Sequence, residues 1–182
     1  MRAGQRLAAV VIPDISDQPA LNANDKLLPI VPNDTIVANA RTHGVPVWTL
    51  SYLPATLKFE LLVVACFPHR LPQALLKRAK IAAINIHPSR LPAYRGPAPV
   101  FWQLRDGMRE IGVTLHHMTS RLDAGDIIAQ TDVTLPVGIS GANADALLAN
   151  AGVHMLLTTI QSGDFYGRSQ GSPASYQSWP CA

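Results

Sequence analysis

At 182 residues, the chain is long enough for one well-buried core but too short for two ordinary domains and a linker. A hydrophobic content of 48% against a charged content of 15% excludes an intrinsically disordered protein. The net charge of +3, with no long run of Lys or Arg, argues against a dedicated nucleic-acid surface.

Strand-length apolar runs alternate with helical patterns along the chain, which is typical of parallel α/β architecture. In chain order, the first half predicts a strand over 7–12, a loop over 14–32, a helix from 34 or 35 to 43, and strands over 45–48 and 61–67. The second half predicts a helix over 72–80, a strand over 81–86, a loop over 88–99, a helix over 100–106, strands over 112–118 and 127–135, and a helix over 143–160.

The last helix is expected to bury an apolar face formed by Ala146, Leu147, Ala149, Val153, Leu156 and Leu157. After residue 162 the chain becomes rich in Gly, Ser, Gln and Pro, which predicts an extended tail over 163–182 behind a domain over 1–162. The first apolar run is too short for a secretory signal or a membrane span, so we expect a cytoplasmic protein with no membrane partner.

Asn85 and His87 stand two residues apart at the end of a predicted strand. Because side chains alternate along a strand, both project to the same face, at the carboxyl edge where open α/β sheets bind ligands. An amide can donate a hydrogen bond to a developing oxyanion, and an imidazole can carry a proton near neutral pH. The pair fits acyl transfer, although such a pair by itself is also consistent with a structural role.

Two separated motifs extend this pattern. Residues 85–99 read N-I-H-P-S-R-L-P-A-Y-R-G-P-A-P, and residues 112–128 read G-V-T-L-H-H-M-T-S-R-L-D-A-G-D-I-I. The sequence here resembles the folate-dependent formyltransferase family, which includes methionyl-tRNA, glycinamide ribonucleotide and sugar-amine formyltransferases. The resemblance implies an α/β, Rossmann-like, doubly wound and mostly parallel sheet with helices on both faces.

The resemblance also implies a site, with 10-formyltetrahydrofolate as formyl donor and no metal. Its catalytic residues would be Asn85, His87 and Asp123. The residues expected beside the folate are Val64, Ala65, Phe67, Leu71, Ser89, Leu91, Leu122, Ala124 and Gly125. Arg95 and His116 are candidates for the side of the site that receives the acceptor.

The chemistry of these side chains fits transfer to an amine. Asn85 and a protonated His87 would stabilise the negative oxygen of the tetrahedral intermediate, and Asp123 would raise the pKa of His87 and relay the proton of the amine. Asp126 shares the loop with Asp123, but contact with loop amides is its expected role. His117 neighbours His116 on a strand and is therefore expected on the opposite face.

The sequence departs from the family pattern in three ways. The first strand–helix unit of the family, which carries a phosphate-binding loop in the purine branch, is expected to be absent, so the fold would be shortened at its N-terminus. The exposed sheet edge that results would favour a homodimer. No RNA-gripping C-terminal domain is expected either, and the charge of only +3 gives tRNA binding weak support. A sugar nucleotide amine, an aminoacyl group on tRNA and another small amine all fit as acceptors. Arg90 stands where the family usually has leucine.

Two other functions stay open at this point. A formyltetrahydrofolate deformylase would use the same three catalytic residues and pass the formyl group to water. A catalytically idle folate-binding protein would bind the donor and transfer nothing.

Overall fold

The computed structural model describes residues 6–14 and 36–180. These residues belong to two compact units, residues 1–59 and residues 60–182, which are taken separately below. The predicted loop over 14–32 and the predicted start of the first helix lie almost entirely outside the described residues.

The first unit contains a strand–helix–strand segment. Strands β1 (Val10–Ile12) and β2 (Val47–Thr49) pair in parallel, and helix α1 (Ile36–Thr42) lies between them in the chain. Parallel strands need such a crossover because a tight hairpin cannot join them. A short 3-10 helix (Leu50–Tyr52) follows, and Asp14 accepts hydrogen bonds from the backbone and side chain of Ser51.

The second unit is built on a four-stranded sheet in the order β3-β4-β5-β6. Its strands are β3 (Phe59–Ala65), β4 (Ala79–His87), β5 (Glu110–His117) and β6 (Ile127–Thr134). Its helices are α2 (Gln73–Leu76), α3 (Pro99–Arg105) and α4 (Gly141–Ser162). The α/β class is thereby confirmed.

In this sheet β4–β5 and β5–β6 pair antiparallel, whereas β1 and β2 of the first unit pair in parallel. The sequence pattern had predicted mostly parallel pairing. The connection over 118–126 is shorter than the dozen or so residues that a parallel crossover needs, so β6 can only return alongside β5 in the opposite direction.

The two faces of the sheet have different characters. Ile84, Val113 and Leu115 are fully buried in apolar clusters on the face that carries α4. Each such side chain contributes about 1.5–3 kcal/mol by its burial. Helix α4 crosses close to this face at Gly152, where an added Cβ would stand 2.6 Å from Cγ2 of Ile86. The polar side chains that alternate with these apolar residues along the strands lie on the opposite face of the sheet.

Two predicted elements differ in the structure. The predicted helix over 72–80 forms only the single turn of α2, since residues 79 and 80 already belong to β4 and satisfy their backbone groups in the sheet. The predicted apolar face of α4 was wrong for most of its residues: Leu147, Val153 and Leu157 are exposed, and only Leu156 of the predicted set packs against the core. The helix instead buries the stripe Ala144, Leu148, Gly152 and Thr159, because the small Gly152 sets the line of closest approach to the sheet.

Candidate active site

Three polar side chains meet on the face of the sheet opposite α4. Asn85 and His87 share this face at the end of β4, as their spacing predicted. The antiparallel register places Asn85 directly opposite His116 of β5. His87 is 4% exposed and His116 is 2% exposed. The pairing of β4 with β5 therefore places His116 next to the predicted pair, Asn85 and His87.

Asp123 joins this group from the loop between β5 and β6. Its carboxylate is 7% exposed, and its Oδ2 accepts a hydrogen bond of 2.9 Å from the backbone N–H of Gly96. Its Oδ1 lies 3.8 Å from Nδ1 of His87 and 3.6 Å from Nε2 of His116. The backbone of Asp123 has a φ of +48°, a left-handed conformation that turns the side chain back towards the sheet.

The hydrogen bonds assign donors and acceptors in this group. Nε2 of His87 lies 2.9 Å from the carbonyl oxygen of Tyr94, and since a carbonyl only accepts, this nitrogen carries the hydrogen. Nδ1 of a neutral His87 is then a free base that faces Asp123. The amide nitrogen of Asn85 lies 3.1 Å from Nε2 of His116 and 3.4 Å from Oδ1 of Asp123, so it can donate one hydrogen to each.

The pKa of His87 is lowered below its ordinary value of 6.5 because burial outweighs the opposing effects of Asp123 and the Tyr94 carbonyl. The sequence had suggested a raised pKa, and the influence of Asp123 does act in that direction. The pKa of Asp123 lies below its ordinary value of 3.8: burial acts to raise it, but His116, His87 and the Gly96 amide together lower it. At pH 7 the group therefore combines an anionic Asp123 with a neutral His87.

These two shifts predict how stability depends on pH. Below pH 6.5 the unfolded chain binds a proton at His87 that the folded chain does not, so the free energy of unfolding should decrease as pH decreases. Asp123 adds a second decrease below pH 3.8 for the same reason. Urea unfolding between pH 7.5 and 3 measures both. His87→Gln should lack the first decrease, whereas His154→Gln, an exposed position on α4, should retain it. An equal decrease in His87→Gln and the unsubstituted protein would contradict the assignment.

The loop after β4 is anchored on the same face of the sheet by residues that sequence reasoning missed. The hydroxyl of Thr114 donates to the carbonyl of Ser89 at 2.6 Å and accepts from the backbone N–H of Leu91 at 3.2 Å. The side-chain amide of Gln130 donates to the Leu91 carbonyl at 2.8 Å. A threonine and a glutamine on neighbouring strands carry no motif, so only their pairing across the sheet reveals this role.

The residues predicted to contact folate fall into two groups. Val64, Ser89, Leu91 and Gly125 are buried, and the Ser89 hydroxyl donates to the carbonyl of Ala93 within its own loop. Those with exposed surface are Ala65, Phe67, Leu71, Leu122 and Ala124. Contact of either group with folate stays a prediction.

The two acceptor-side candidates have different surroundings. His116 contacts Asn85 and Asp123, whereas Arg95 donates from Nε and Nη2 to the side-chain oxygen of Gln170, at 3.2 and 2.6 Å. This contact gives Arg95 a loop-anchoring role. His117 lies on the opposite face, as expected, with Nε2 2.9 Å from the Phe165 carbonyl. Asp126 is exposed and accepts from Ser169 at 3.4 Å.

Substitution of Gly96 tests how closely the tail packs against the loop after β4. Its φ is +118°, and an added Cβ would stand 2.0 Å from the carbonyl oxygen of Gln177 in the tail. Gly96→Ala should therefore lower the free energy of unfolding by roughly 1–2 kcal/mol through backbone strain and by a further 1–3 kcal/mol or so through the clash. Gly138→Ala is the matched control, since Gly138 has a φ of +72° and open space around it. Equal losses in the two variants, measured by urea unfolding, would contradict the clash.

Residues 6–14 and 36–180 contain neither a cluster of metal-binding side chains nor a membrane-spanning helix. No group of three or more His, Cys, Asp or Glu side chains in these ranges is arranged to hold a metal ion. No helix in the same part of the chain is long and apolar enough to cross a membrane.

The fold is α/β, and Asn85, His87 and Asp123 gather at the end of β4, at an edge where open α/β sheets bind ligands. Residues 49–159 match the Formyl transferase family, and the chain belongs to this family. It is 40% identical over 104 residues to methionyl-tRNA formyltransferase of Listeria welshimeri, a match that covers 57% of this chain and 33% of that protein. The chain thus spans about a third of the length of this curated relative.

Solved structures share the fold. The sugar 3N-formyl transferase WlaRD, determined with dTDP and 5-N-formyl-THF, superposes with a TM-score of 0.69 at 19% identity, over 94% of this chain and 59% of that one. The formyltransferase PseJ from Anoxybacillus kamchatkensis, determined with a formamido sugar nucleotide and tetrahydrofolate, gives a TM-score of 0.61 at 23% identity, over 76% of this chain and 77% of that one.

Proposed function

We propose that this protein transfers a formyl group from 10-formyltetrahydrofolate to a primary amine. The observation that carries the proposal is the meeting of Asn85, His87, His116 and Asp123 in one largely buried group, in which hydrogen bonds join Asn85 to His116 and Asp123, and Asp123 lies within 4 Å of both imidazoles. Family membership supports the same reaction.

The chain's own residues supply the parts that this reaction needs. The amine nitrogen bonds to the formyl carbon, the bond from that carbon to the folate nitrogen breaks, and the proton lost by the amine is balanced by the proton that the folate nitrogen gains. Asn85 turns the hydrogen of its longer contact, the one of 3.4 Å to Asp123, to the oxygen that becomes negative. Nδ1 of neutral His87 accepts the proton of the amine, and Asp123 stabilises the imidazolium that results.

The exposed apolar residues near the strand ends fit the donor. Ala65, Phe67, Leu71 and Leu122 all retain exposed surface, which suits the flat ring system of a folate. When bound, 10-formyltetrahydrofolate supplies the formyl carbon.

The acceptor belongs to one of two kinds of amine. A methionyl group on tRNA is suggested by the names of the curated relatives, and an amino sugar nucleotide by the structural neighbours. A net charge of only +3 offers little electrostatic attraction for tRNA, and we propose a sugar nucleotide amine as the first acceptor to test.

The test is incubation with 10-formyltetrahydrofolate and each acceptor in turn. Tetrahydrofolate release and a product 28 Da heavier than the acceptor, the mass of an added CO, are expected with an amine. Formate release at the same rate without any amine would indicate a deformylase. Folate binding by calorimetry with no turnover on any acceptor would indicate an idle binding protein.

A further inference from the structure

The side chain of Gln170, in the segment after α4, bridges the two loops of the site. Its amide nitrogen donates to the carbonyl of Asp123 at 2.8 Å and to the carbonyl of Gly125 at 2.7 Å. Its oxygen accepts both hydrogen bonds from Arg95. Since a primary amide has two donor hydrogens and one oxygen with two acceptor positions, every hydrogen-bonding position of this side chain is used.

Hydrogen bonds from the loop that contains Arg95 and Gly96 reach Asp123 by two routes. Gly96, next to Arg95, donates its backbone N–H to the Asp123 carboxylate, while Arg95 reaches the Asp123 backbone through Gln170. The backbone and the carboxylate of Asp123 are thus held from the same neighbouring loop. A residue with φ of +48° needs such support, since a left-handed conformation is costly for a side chain other than glycine.

We propose that Gln170 is a positioning residue that holds the Asp123 carboxylate in register with His87 and His116. This inference rests on the proposed function. Asp123 lies 3.8 and 3.6 Å from the two imidazoles, so a small movement of its loop would change both contacts.

Attachment of the tail does not need Gln170. Backbone hydrogen bonds already join Arg95 to Ser175 and Gln177, and Arg168 to Ile127. Loss of the Gln170 side chain therefore leaves the tail anchored, and the variants should fold.

The test compares Gln170→Ala and Gln170→Glu with Gln161→Ala, an exposed glutamine on α4. Both Gln170 variants should lower kcat about 10- to 100-fold, as is typical for the loss of residues that orient a reacting group, and change KM for the folate donor by less than about threefold. A carboxylate can still accept from Arg95 but cannot donate to the Asp123 and Gly125 carbonyls. Recovery of kcat in Gln170→Glu would therefore overturn the proposal in favour of simple anchoring of Arg95.

A second measurement does not depend on turnover. The ring protons of His87 and His116, assigned in NMR spectra with His87→Gln and His116→Gln, should shift in Gln170→Ala and stay unchanged in Gln161→Ala. Unchanged rings would overturn the positioning role. If the unsubstituted protein transfers no formyl group, the proposed function fails, and these ring signals still decide whether Gln170 positions Asp123.

Discussion

Replacing Asp123 with asparagine should lower kcat for formyl transfer by about 10³-fold while the protein stays folded. The amide oxygen of asparagine can still accept from the Gly96 N–H, so the loop keeps its anchor. What is lost is the negative charge beside His87 and His116, which in the proposed reaction stabilises the imidazolium formed when a proton leaves the amine. Steady-state kinetics with the acceptor that gives turnover in the assay above measures the effect, and urea unfolding checks the fold.

Asp126→Asn is the matched control for this prediction. Asp126 lies in the same loop but is exposed, with a long contact to Ser169. Its substitution should leave kcat within about twofold, because surface positions outside the site change little. A fully active Asp123→Asn protein would contradict the assigned role of the carboxylate.

Removal of the His87 imidazole should have an effect of similar size, a decrease in kcat of about 10²- to 10⁴-fold. Burial keeps the pKa of this ring low, so at neutral pH its Nδ1 is available to take a proton, while its Nε2 is held by the Tyr94 carbonyl. His87→Gln is preferred to His87→Ala because a glutamine retains a donor and leaves a smaller cavity. Kinetics over pH 5 to 9 should show the acid limb of the unsubstituted protein and its loss in the variant.

Two outcomes distinguish a role in chemistry from a role in folding. The double variant His87→Gln with Asp123→Asn should lose little more activity than the larger single loss, because residues that act as a unit are not additive. His154→Gln should be fully active. Additive losses in the double variant would mean that the two residues act separately.

Part of this site could be predicted from the amino-acid sequence. Alternation along a strand places Asn85 and His87 on one face whatever the strand pairs with. The carboxylate of Asp123 was assigned to the site because the motif around it resembles that of the family. His116 could be suspected, but its position directly opposite Asn85 depends on the β4–β5 register, which is a pairing between segments distant in the chain.

Other features depended on packing. The buried stripe of α4 follows from the close approach of Gly152 to Ile86, whereas the hydrophobic residues of that helix suggested a different face. Gln170 lies in a segment with no periodicity, and its function appears only when its amide is found between two loops. The lowered pKa of His87 likewise reflects its burial, which no neighbouring residue in the chain predicts.

By itself the sequence determined the α/β class, the strand that carries Asn85 and His87, and the family, because these depend on local periodicity and on motif residues close together in the chain. Only the tertiary structure decided the antiparallel pairing of β5 with its two neighbours, the contacts of His116 with Asn85 and of Gln170 with Asp123, and the lowered pKa of His87. Those features arise from hydrogen bonds and packing between segments far apart in the chain. The register of strand pairing and the burial of a side chain depend on such contacts, and no local sequence pattern encodes them.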